Sequence, residues 1–472
     1  MPEAGAATPA ATPGAWASIR EALAGSQQDY TQGPVGRAIF LLAVPMVLEM
    51  ALESVFAVTD IFFVARLGAD AVATVGLTES MLAIVYALAM GLGIGVTATV
   101  ARRIGERDPD GAARAAVQAI VLATAAAAVL GVAGYLLAPR LLALMGASPS
   151  VVAVGTGYAR VMLGGEATII LLFVVNAIFR GAGDAAIAMR VLWLANGINI
   201  LLGPCLIFGL GPFPAMGVTG AAVATTVGRG VGALFALSRL TRRDSRVPLG
   251  RRHLEVDLPA MGRLVRLSGA AVVQALVGTA SWIGLVRIVA SFGSEALAGY
   301  TIGIRVVVFA LLPSWGMSNA AATMVGQALG ARDPTRAERA VWKTGGYNAV
   351  FLGATGLAFV LFAGPIVSLF SRDPTVIAHG TDCLRVVAFG FPLYAYGMVL
   401  TQAFNGAGDT LTPTWINVGV FWLWEIPLAY SLARPLALGA HGVFLAITIA
   451  FSTLALVSAL LFRRGAWRTR IV

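Results

Sequence analysis

Long apolar stretches, separated by short polar loops, run through most of the sequence. Twelve of them are long enough to cross the hydrocarbon core of a bilayer as an α-helix, which takes about 20 residues. They lie near residues 38–64, 71–99, 115–138, 150–178, 188–211, 217–239, 264–290, 297–327, 341–363, 375–403, 413–433 and 439–462. This pattern predicts an all-α polytopic membrane protein with twelve transmembrane helices.

Short motifs recur at a fixed distance along the chain. "FRGAGDA" begins at Phe179, and "FNGAGDT" begins at Phe404, 225 residues later. "IGERDPDGAARA" at Ile104 and "LGARDPTRAERA" at Leu329 are separated by the same offset. The chain is therefore interpreted as two homologous halves of six helices. Because six is even, each half begins and ends on the same side, and the two six-helix lobes are parallel repeats.

The repeat and the charge pattern together suggest a domain organisation. Arginine is concentrated in both termini and in the loops between spans 2 and 3, 4 and 5, 6 and 7, and 8 and 9. By the positive-inside rule, both termini and the linker are expected to be cytoplasmic in a multi-pass protein of the plasma membrane. The expected segments are a disordered tail (1–37), an N-terminal lobe (38–239), a basic linker (240–263), a C-terminal lobe (264–462) and a basic tail (463–472).

Composition excludes several classes of protein. The chain is 58% hydrophobic and only 12% charged, with a mean hydropathy of +0.83, whereas soluble domains carry about 25% charged residues. A net charge of +10 would suggest nucleic acid binding in a soluble protein, but here the arginine-rich loops account for it. Two cysteines and three histidines argue against a disulfide framework or a typical metal centre. A membrane-embedded enzyme would need a His or Asp cluster, which the sequence does not offer, and no cofactor is expected.

An aspartate interrupts the first apolar span, in "VFAVTDIFFVARLG" (residues 55–68). A carboxylate at the centre of a membrane helix costs roughly 2.5 kcal/mol or more, so Asp60 is the first candidate for a functional residue. In a low-dielectric cavity it could take up and release a proton as water access changes. The alternative is that Asp60 lies at the outer end of span 1, solvated beside Arg66.

Other charged residues in the N-terminal half share this ambiguity. Glu53 lies seven residues before Asp60, two helical turns, so the two face the same way. Glu53 either shares a cavity with Asp60 or forms a structural pair. Glu79 in span 2 is either a proton relay or a structural polar contact. Arg229 in span 6 is expected to extend its side chain to the cytoplasmic interface.

The C-terminal half offers fewer ionisable candidates. Glu425, in "WLWEIPLAY", is the acid of most interest there, although Arg305 or Arg385 could neutralise it. Tyr394 could line a drug pocket by stacking on cations, or it could simply pack in the lobe. Gln274 in span 7 is the remaining candidate in this lobe.

Several motifs, in duplicate and in order, resemble the multidrug and toxic compound extrusion (MATE) family. "AVPMVLEMALESVFAVTDIFFVARLGADAVATVG" is similar to the family's first helix and following loop, and "GQALGARDPTRAERA" to the loop after its eighth. The paired Gly-Ala-Gly-Asp loops and "GVTGAAVAT" also fit. The resemblance covers residues 35–462. It implies two lobes that alternate between facing outward and inward, exporting amphipathic, often cationic compounds against a proton or sodium gradient.

The resemblance also implies site residues of the family's DinF-like branch. Asp60 takes the position of the helix-1 acid to which coupling is assigned in that branch, and Pro45 that of the helix-1 proline. Asn199 fits the helix-5 asparagine, and Ala221 and Thr225 fit helix-6 positions of the same cavity. We expect protonation of Asp60 to change a bend of helix 1 at Pro45 and to shrink this cavity.

One position departs from the branch pattern. Helix 5 usually reads Asn, three residues, then Asp-Pro, but here the second aspartate is replaced by Gly203, before Pro204. A site with two carboxylates suits a monovalent cation, whereas a lone aspartate can still carry a proton. The change favours protons over sodium as the coupling ion.

Together these observations predict a monomeric, proton-coupled exporter of drugs or toxic metabolites, embedded in lipid. The alternatives are a sodium-coupled MATE exporter, a major-facilitator exporter, which shares the six-plus-six topology, and a lipid-linked sugar flippase, which often has fourteen spans.

Overall fold

The computed structural model describes residues 15–26, 28–242 and 244–470, and these residues form helices and connecting loops without any β-strand. The α-helices are α1 (Ala15–Ala24), α2 (Val35–Ala65), α3 (Ala69–Gly105), α4 (Pro109–Leu144), α5 (Pro149–Gly164), α6 (Glu166–Ala182), α7 (Ala185–Phe208), α8 (Val218–Leu240), α9 (Leu258–Ala290), α10 (Ser294–Gly330), α11 (Pro334–Ser368), α12 (Pro374–Phe389), α13 (Phe391–Gly406), α14 (Leu411–Asn417), α15 (Ile426–Ala433) and α16 (Gly439–Arg463).

The predicted number of membrane spans is confirmed within the described part of the chain. Eleven stretches are long and apolar enough to cross a bilayer, with α5 and α6 together forming one of them. α12 and α13 together form one further span, the tenth in chain order, which is bent by 59° at Gly390. Pro392 at the start of α13 accounts for part of this break, because proline lacks the amide hydrogen that would bond to the preceding turn.

The eleventh span is irregular in its middle. Between α14 and α15, residues Val418–Glu425 form a π-helical segment, and Pro427 follows in the first turn of α15. Wide π-helical turns are rare in proteins, and those that occur are often at functional sites. Glu425 is the last residue of this segment.

Each half packs around its own apolar core, and α2 also contacts the other half. One buried cluster contains residues between Val64 and Leu264, and another contains residues between Leu285 and Phe451. α2 packs against α7 in its own half and against α10 in the other half. A change in α2 is therefore felt directly by both lobes. One end of the bundle carries residues 15–26, 28–34, 241–242, 244–257 and 464–470, and we call it the basal end and the opposite end the apical end.

Two glycines let α3 and α10 cross closely at the basal end. A Cβ atom on Gly105 would collide with the Gln327 carbonyl oxygen, and a Cβ on Gly330 would collide with the Arg102 carbonyl oxygen. Gly105 and Gly330 are repeat-equivalent positions, as are Arg102 and Gln327, each pair 225 residues apart. The crossing is thus reciprocal, and it brings the two halves into backbone contact.

Side-chain hydrogen bonds strengthen the same crossing. Gln327 Nε2 donates to the Gly181 carbonyl oxygen (3.0 Å), and Arg102 Nη2 donates to that of Ala407 (3.2 Å). Both acceptors belong to the Gly-Ala-Gly-Asp repeats. The recurring motifs are therefore the places where the lobes join at the basal end, which explains why both copies retain them.

Residues 15–37 differ from the disordered tail that the sequence suggested. The described ones, 15–26 and 28–37, form α1, a connecting loop with turns and the start of α2, while residues 1–14 lie outside the described residues. The buried Arg336 guanidinium donates from Nε, Nη2 and Nη1 to the carbonyl oxygens of Tyr30, Gln32 and Gly33, at 2.9, 2.7 and 2.8 Å. This arginine belongs to the second half, so the N-terminal segment is attached across the boundary between lobes.

A second arginine attaches the N-terminal segment to the linker. Arg246 Nη2 donates to the Ser26 and Gln28 carbonyl oxygens (2.6 and 3.0 Å), and its Nη1 donates to that of Ala182 (3.2 Å). Its guanidinium carbon lies 5.2 Å from the centre of the Tyr30 ring. The linker itself is shorter than expected, because α9 already begins at Leu258.

Replacing Gly105 with alanine tests the close crossing. The added methyl group meets the Gln327 backbone, so we expect Gly105→Ala to destabilise the fold by about 1–3 kcal/mol and to lower the melting temperature of the purified protein in detergent. Gly76→Ala is the matched control, because Gly76 is on the same helix and a Cβ there meets nothing within 4 Å. Equal melting temperatures for the two variants would contradict the crossing.

Candidate functional site

Asp60 lies near the apical end of α2 and is half-buried. It forms no hydrogen bond or ion pair with any residue that the structure describes, but the Arg229 guanidinium acts on it electrostatically. Arg66 does not pair with it; its guanidinium carbon instead lies 4.5 Å from the centre of the Phe62 ring. Asp60 is therefore not paired with Arg66, whereas its position near the end of α2 agrees with the alternative in which it lies at the end of span 1.

Arg229 on α8 is the cation around which the acids of the N-terminal lobe gather. Glu53 on α2 and Glu79 on α3 both lie within electrostatic reach of its guanidinium. Its guanidinium carbon lies 5.8 Å from the centre of the Tyr86 ring. Glu79 is exposed yet close to the other charges, as expected for a side chain on the wall of an open cleft. The expectation that Arg229 extends to the cytoplasmic interface was wrong, because it faces this group of acids.

The family-derived N-lobe residues also lie near one another. Asn199 on α7 donates from Nδ2 to Thr225 Oγ1 on α8 at 2.6 Å, and Ala221 is buried one turn away. Asn196, one turn before Asn199, donates from Nδ2 to Glu53 Oε2 at 3.0 Å. This bond links the α7–α8 pair to the acids on α2.

Pro45 does not interrupt α2, which runs from Val35 to Ala65 as one helix. Its neighbour Met46 is in close contact with α10, where a Cβ on Gly316 would lie 2.5 Å from the Met46 carbonyl oxygen. The proline is therefore at the point where the first span touches the opposite lobe. In this conformation α2 is thus continuous through Pro45.

A cavity of about 210 Å³ lies between the lobes and includes part of this charged group. Glu53 and Arg229 are in its wall, together with Glu49 and Arg180, which form an ion pair at 2.8 Å. The Glu49 side chain is only 2% exposed and that of Arg180 14% exposed. We call this space the central cavity.

The central cavity is built from equivalent positions of the two halves. Four pairs of residues in its wall are 225 positions apart, which places it on the axis that relates the lobes. The pairs are Met90 and Trp315, Ile94 and Asn319, Thr97 and Ala322, and Arg180 and Asn405. The charged side chains come from the first half, and the second half contributes the neutral amides Asn319, Gln402 and Asn405.

The three C-lobe candidates do not line the central cavity. Glu425 is buried and lies within electrostatic reach of Tyr394 and Tyr300, so the structure brings Glu425 and Tyr394 together. The Tyr394 ring stacks on Phe451 with 3.8 Å between centres, which makes it a packing residue of this lobe. Gln274 is buried on α9, and no described contact joins it to the other two.

Of the charged and amide side chains of the central cavity, sequence analysis named Glu53 and Arg229 but missed Glu49, Arg180 and the amides. Glu49 precedes Glu53 by four residues and Asp60 by eleven, and all three positions fall on one face of a helix. That spacing could have identified it. Arg180 and Asn405 are the variable positions in the two copies of the Phe-x-Gly-Ala-Gly-Asp motif. This difference between two otherwise identical motifs could have indicated that Arg180 and Asn405 have separate roles.

Similarity to known proteins identifies this chain as a polytopic membrane transporter. The "Probable multidrug resistance protein NorM" of Thermotoga maritima is 26% identical over 442 residues, covering 93% of this chain and 94% of its own length. The "FAD transporter" of Shewanella oneidensis is 27% identical, covering 88% and 92%. A crystal structure of "MATE in the straight conformation" superposes with a TM-score of 0.88 at 28% identity, covering 93% and 98%.

The chain belongs to the MatE family, whose sequence profile matches residues 45–205 and 270–431. The predicted resemblance is thereby confirmed, and so is the prediction that the chain is a transporter and not an enzyme. The match decides against the major-facilitator alternative.

The Glu49–Arg180 pair provides a test of the cavity geometry. Removing one partner leaves the other charge buried and unpaired, so Glu49→Gln or Arg180→Gln alone should destabilise the protein by about 3 kcal/mol. The double variant should recover part of that loss, since no unpaired charge remains. The melting temperatures of the wild type, the two single variants and the double variant form a double-mutant cycle. If the two single-variant changes in melting temperature simply add in the double variant, the pair does not interact.

Proposed function

We propose that this protein is a secondary active antiporter that exports amphipathic, cationic compounds in exchange for protons, with Asp60 as the coupling acid. It acts as a monomer with both termini in the cytoplasm, and it needs no cofactor other than the coupling ion. The family membership and the names of the relatives support export of small molecules.

The observation that carries proton coupling is the environment of Asp60. It has no hydrogen-bond partner among the described residues, and the groups that act on it or on its neighbours are Arg229, Glu53, Glu79 and Tyr158. The carboxylates of Glu53, Asp60 and Glu79 all lie within electrostatic reach of the Arg229 guanidinium. Like charges so close disfavour full ionisation of the group, so one of the acids can take up a proton at low energetic cost.

The charge around the central cavity favours a cationic substrate. Glu53, Asp60 and Glu79 gather around the single Arg229 guanidinium, which gives this group beside the cavity a formal charge of −2 when all are ionised. The Glu49–Arg180 ion pair adds no net charge. A cation and a proton therefore compete for the same negative charge. An anionic substrate, such as the one named for the Shewanella relative, is disfavoured by this balance.

The packing of α2 provides a route from protonation to movement. Neutralising Asp60 removes its attraction to Arg229 on α8, which releases the apical part of α2 from that helix. The basal part of α2 stays held against α10 at Met46. Pro45 adjoins this contact and leaves the carbonyl group of Leu41 without its helical donor, so the released segment bends there.

Asp60→Asn tests the coupling acid. The amide keeps the shape of the side chain and cannot exchange a proton, so efflux of ethidium driven by an imposed pH gradient should fall at least about tenfold in cells or proteoliposomes. Asp70→Asn is the control, because Asp70 is exposed at the start of α3. Both variants must reach the membrane in equal amounts, and normal efflux by Asp60→Asn would refute the proposal.

Gly203→Asp tests the choice of ion. A Cβ on Gly203 meets only Asn199 Oδ1, at 3.8 Å, so the first atom of a side chain meets no steric obstacle at this position. The new carboxylate lies beside Asn199 and supplies the second acid that a sodium site needs. We expect efflux by this variant to respond to an imposed sodium gradient, and efflux by the wild type and by Gly203→Asn to remain indifferent to sodium. Sodium-driven efflux by the wild type would instead favour the sodium-coupled alternative.

A further inference from the structure

Three buried acceptor oxygens in the central cavity have no hydrogen-bond partner among the described residues. They are Glu49 Oε2, Asn176 Oδ1 and Asn405 Oδ1, and their residues are 1%, 3% and 2% exposed. All three residues line the same cavity. We propose that they form a subsite that binds the N–H-bearing end of a substrate, and that this subsite selects for hydrogen-bond donors separately from the charge of the ligand.

Buried oxygens without a partner are uncommon in folded proteins, so three around one space require an explanation. The other polar atoms of Glu49 and Asn405 already form hydrogen bonds within the protein. Glu49 Oε1 accepts from Arg180 Nη1 at 2.8 Å, which leaves Oε2 for another donor. Asn405 Nδ2 donates to Gln402 Oε1, and Gln402 Nε2 donates to Asn319 Oδ1, each at 3.0 Å. This relay fixes the Asn405 amide so that its oxygen is the atom left free.

The lining favours an N–H donor over a small metal cation. The charged wall residues Glu49, Glu53, Arg180 and Arg229 sum to zero, and two of the three free acceptors are neutral amide oxygens, which compensate poorly for the lost hydration of a small metal ion. A polarised N–H group can satisfy an acceptor without giving up a full hydration shell. The remaining wall is apolar and partly aromatic, with Met90, Phe173 and Trp315. Such a wall suits a flat apolar body that carries amino groups.

The volume limits how much of a substrate can enter. About 210 Å³ is below the roughly 300–1,000 Å³ of a pocket for a whole drug-sized ligand. The subsite therefore takes one end of the molecule. Its acceptors belong to both halves, Glu49 and Asn176 to the first and Asn405 to the second, so a bound donor group bridges the lobes. This inference rests on the proposed function as an exporter of small molecules, but not on the identity of the coupling ion.

The test compares two cations that differ only in donors. Ethidium carries two amino groups, and 5-ethyl-6-phenylphenanthridinium is the same ring cation without them. Equilibrium binding of each is measured by fluorescence anisotropy with purified protein in detergent, without any gradient. We expect Asn405→Leu and Asn176→Leu each to weaken ethidium binding ~10-fold and to change binding of the amine-free cation less than ~2-fold.

Asn417→Leu is the control, because Asn417 is a buried asparagine of the second half outside the cavity wall, and its ethidium affinity should be unchanged. Using two variants from different helices guards against a local folding defect in one of them. Equal losses for both cations or unchanged ethidium binding would each overturn the subsite. Failure of Asp60→Asn to impair efflux would overturn the proposed coupling and leave this binding result intact.

Discussion

The arrangement of the two lobes depends on the backbone contact between α3 and α10. Gly105 and Gly330 remove the side chains that would hold these helices apart, and the Arg102 and Gln327 side chains then reach carbonyl groups of the opposite half. Because the two ends of this contact are repeat-equivalent, it lies on the axis that relates the lobes. It closes the basal end, and the central cavity lies on the same axis. Substrate access from the basal side therefore requires this contact to open.

The two halves share a scaffold but divide the chemistry. Glu49, Asp60 and Arg180 in the first half correspond to Gln274, Leu285 and Asn405 in the second. At these positions the first half supplies charged side chains, and the second half supplies two neutral amides and one apolar side chain. In the proposed function, this asymmetry assigns proton exchange to the first half and hydrogen bonding of the ligand to both halves.

Much of the fold was predictable, because apolar length and an internal repeat are strong signals. The twelve spans, the even division and the family all follow from them. Asp60 and Glu53 could be identified because an acid in an apolar span is conspicuous. The cavity as a whole could not, because it depends on which faces of helices from different halves meet. Arg229 was misassigned for this reason: its position along α8 suggests a reach toward the interface, whereas its direction is set by α2 and α3. The disorder expected for residues 15–37 was wrong because partners far along the chain bind this polar segment.

The attachment of the N-terminal segment has a consequence for the order of biosynthesis. Chains are made from the N-terminus, and α2 is the first span to leave the ribosome. The Arg336 guanidinium that binds the carbonyl groups of Tyr30, Gln32 and Gly33 is translated some 300 residues later, as the separation of 303 residues between Gly33 and Arg336 shows. Arg246 of the linker can hold the segment earlier, but the contact of the segment with the second lobe forms only once α11 has been synthesised. The two lobes are therefore joined through the N-terminal segment only at a late stage of synthesis.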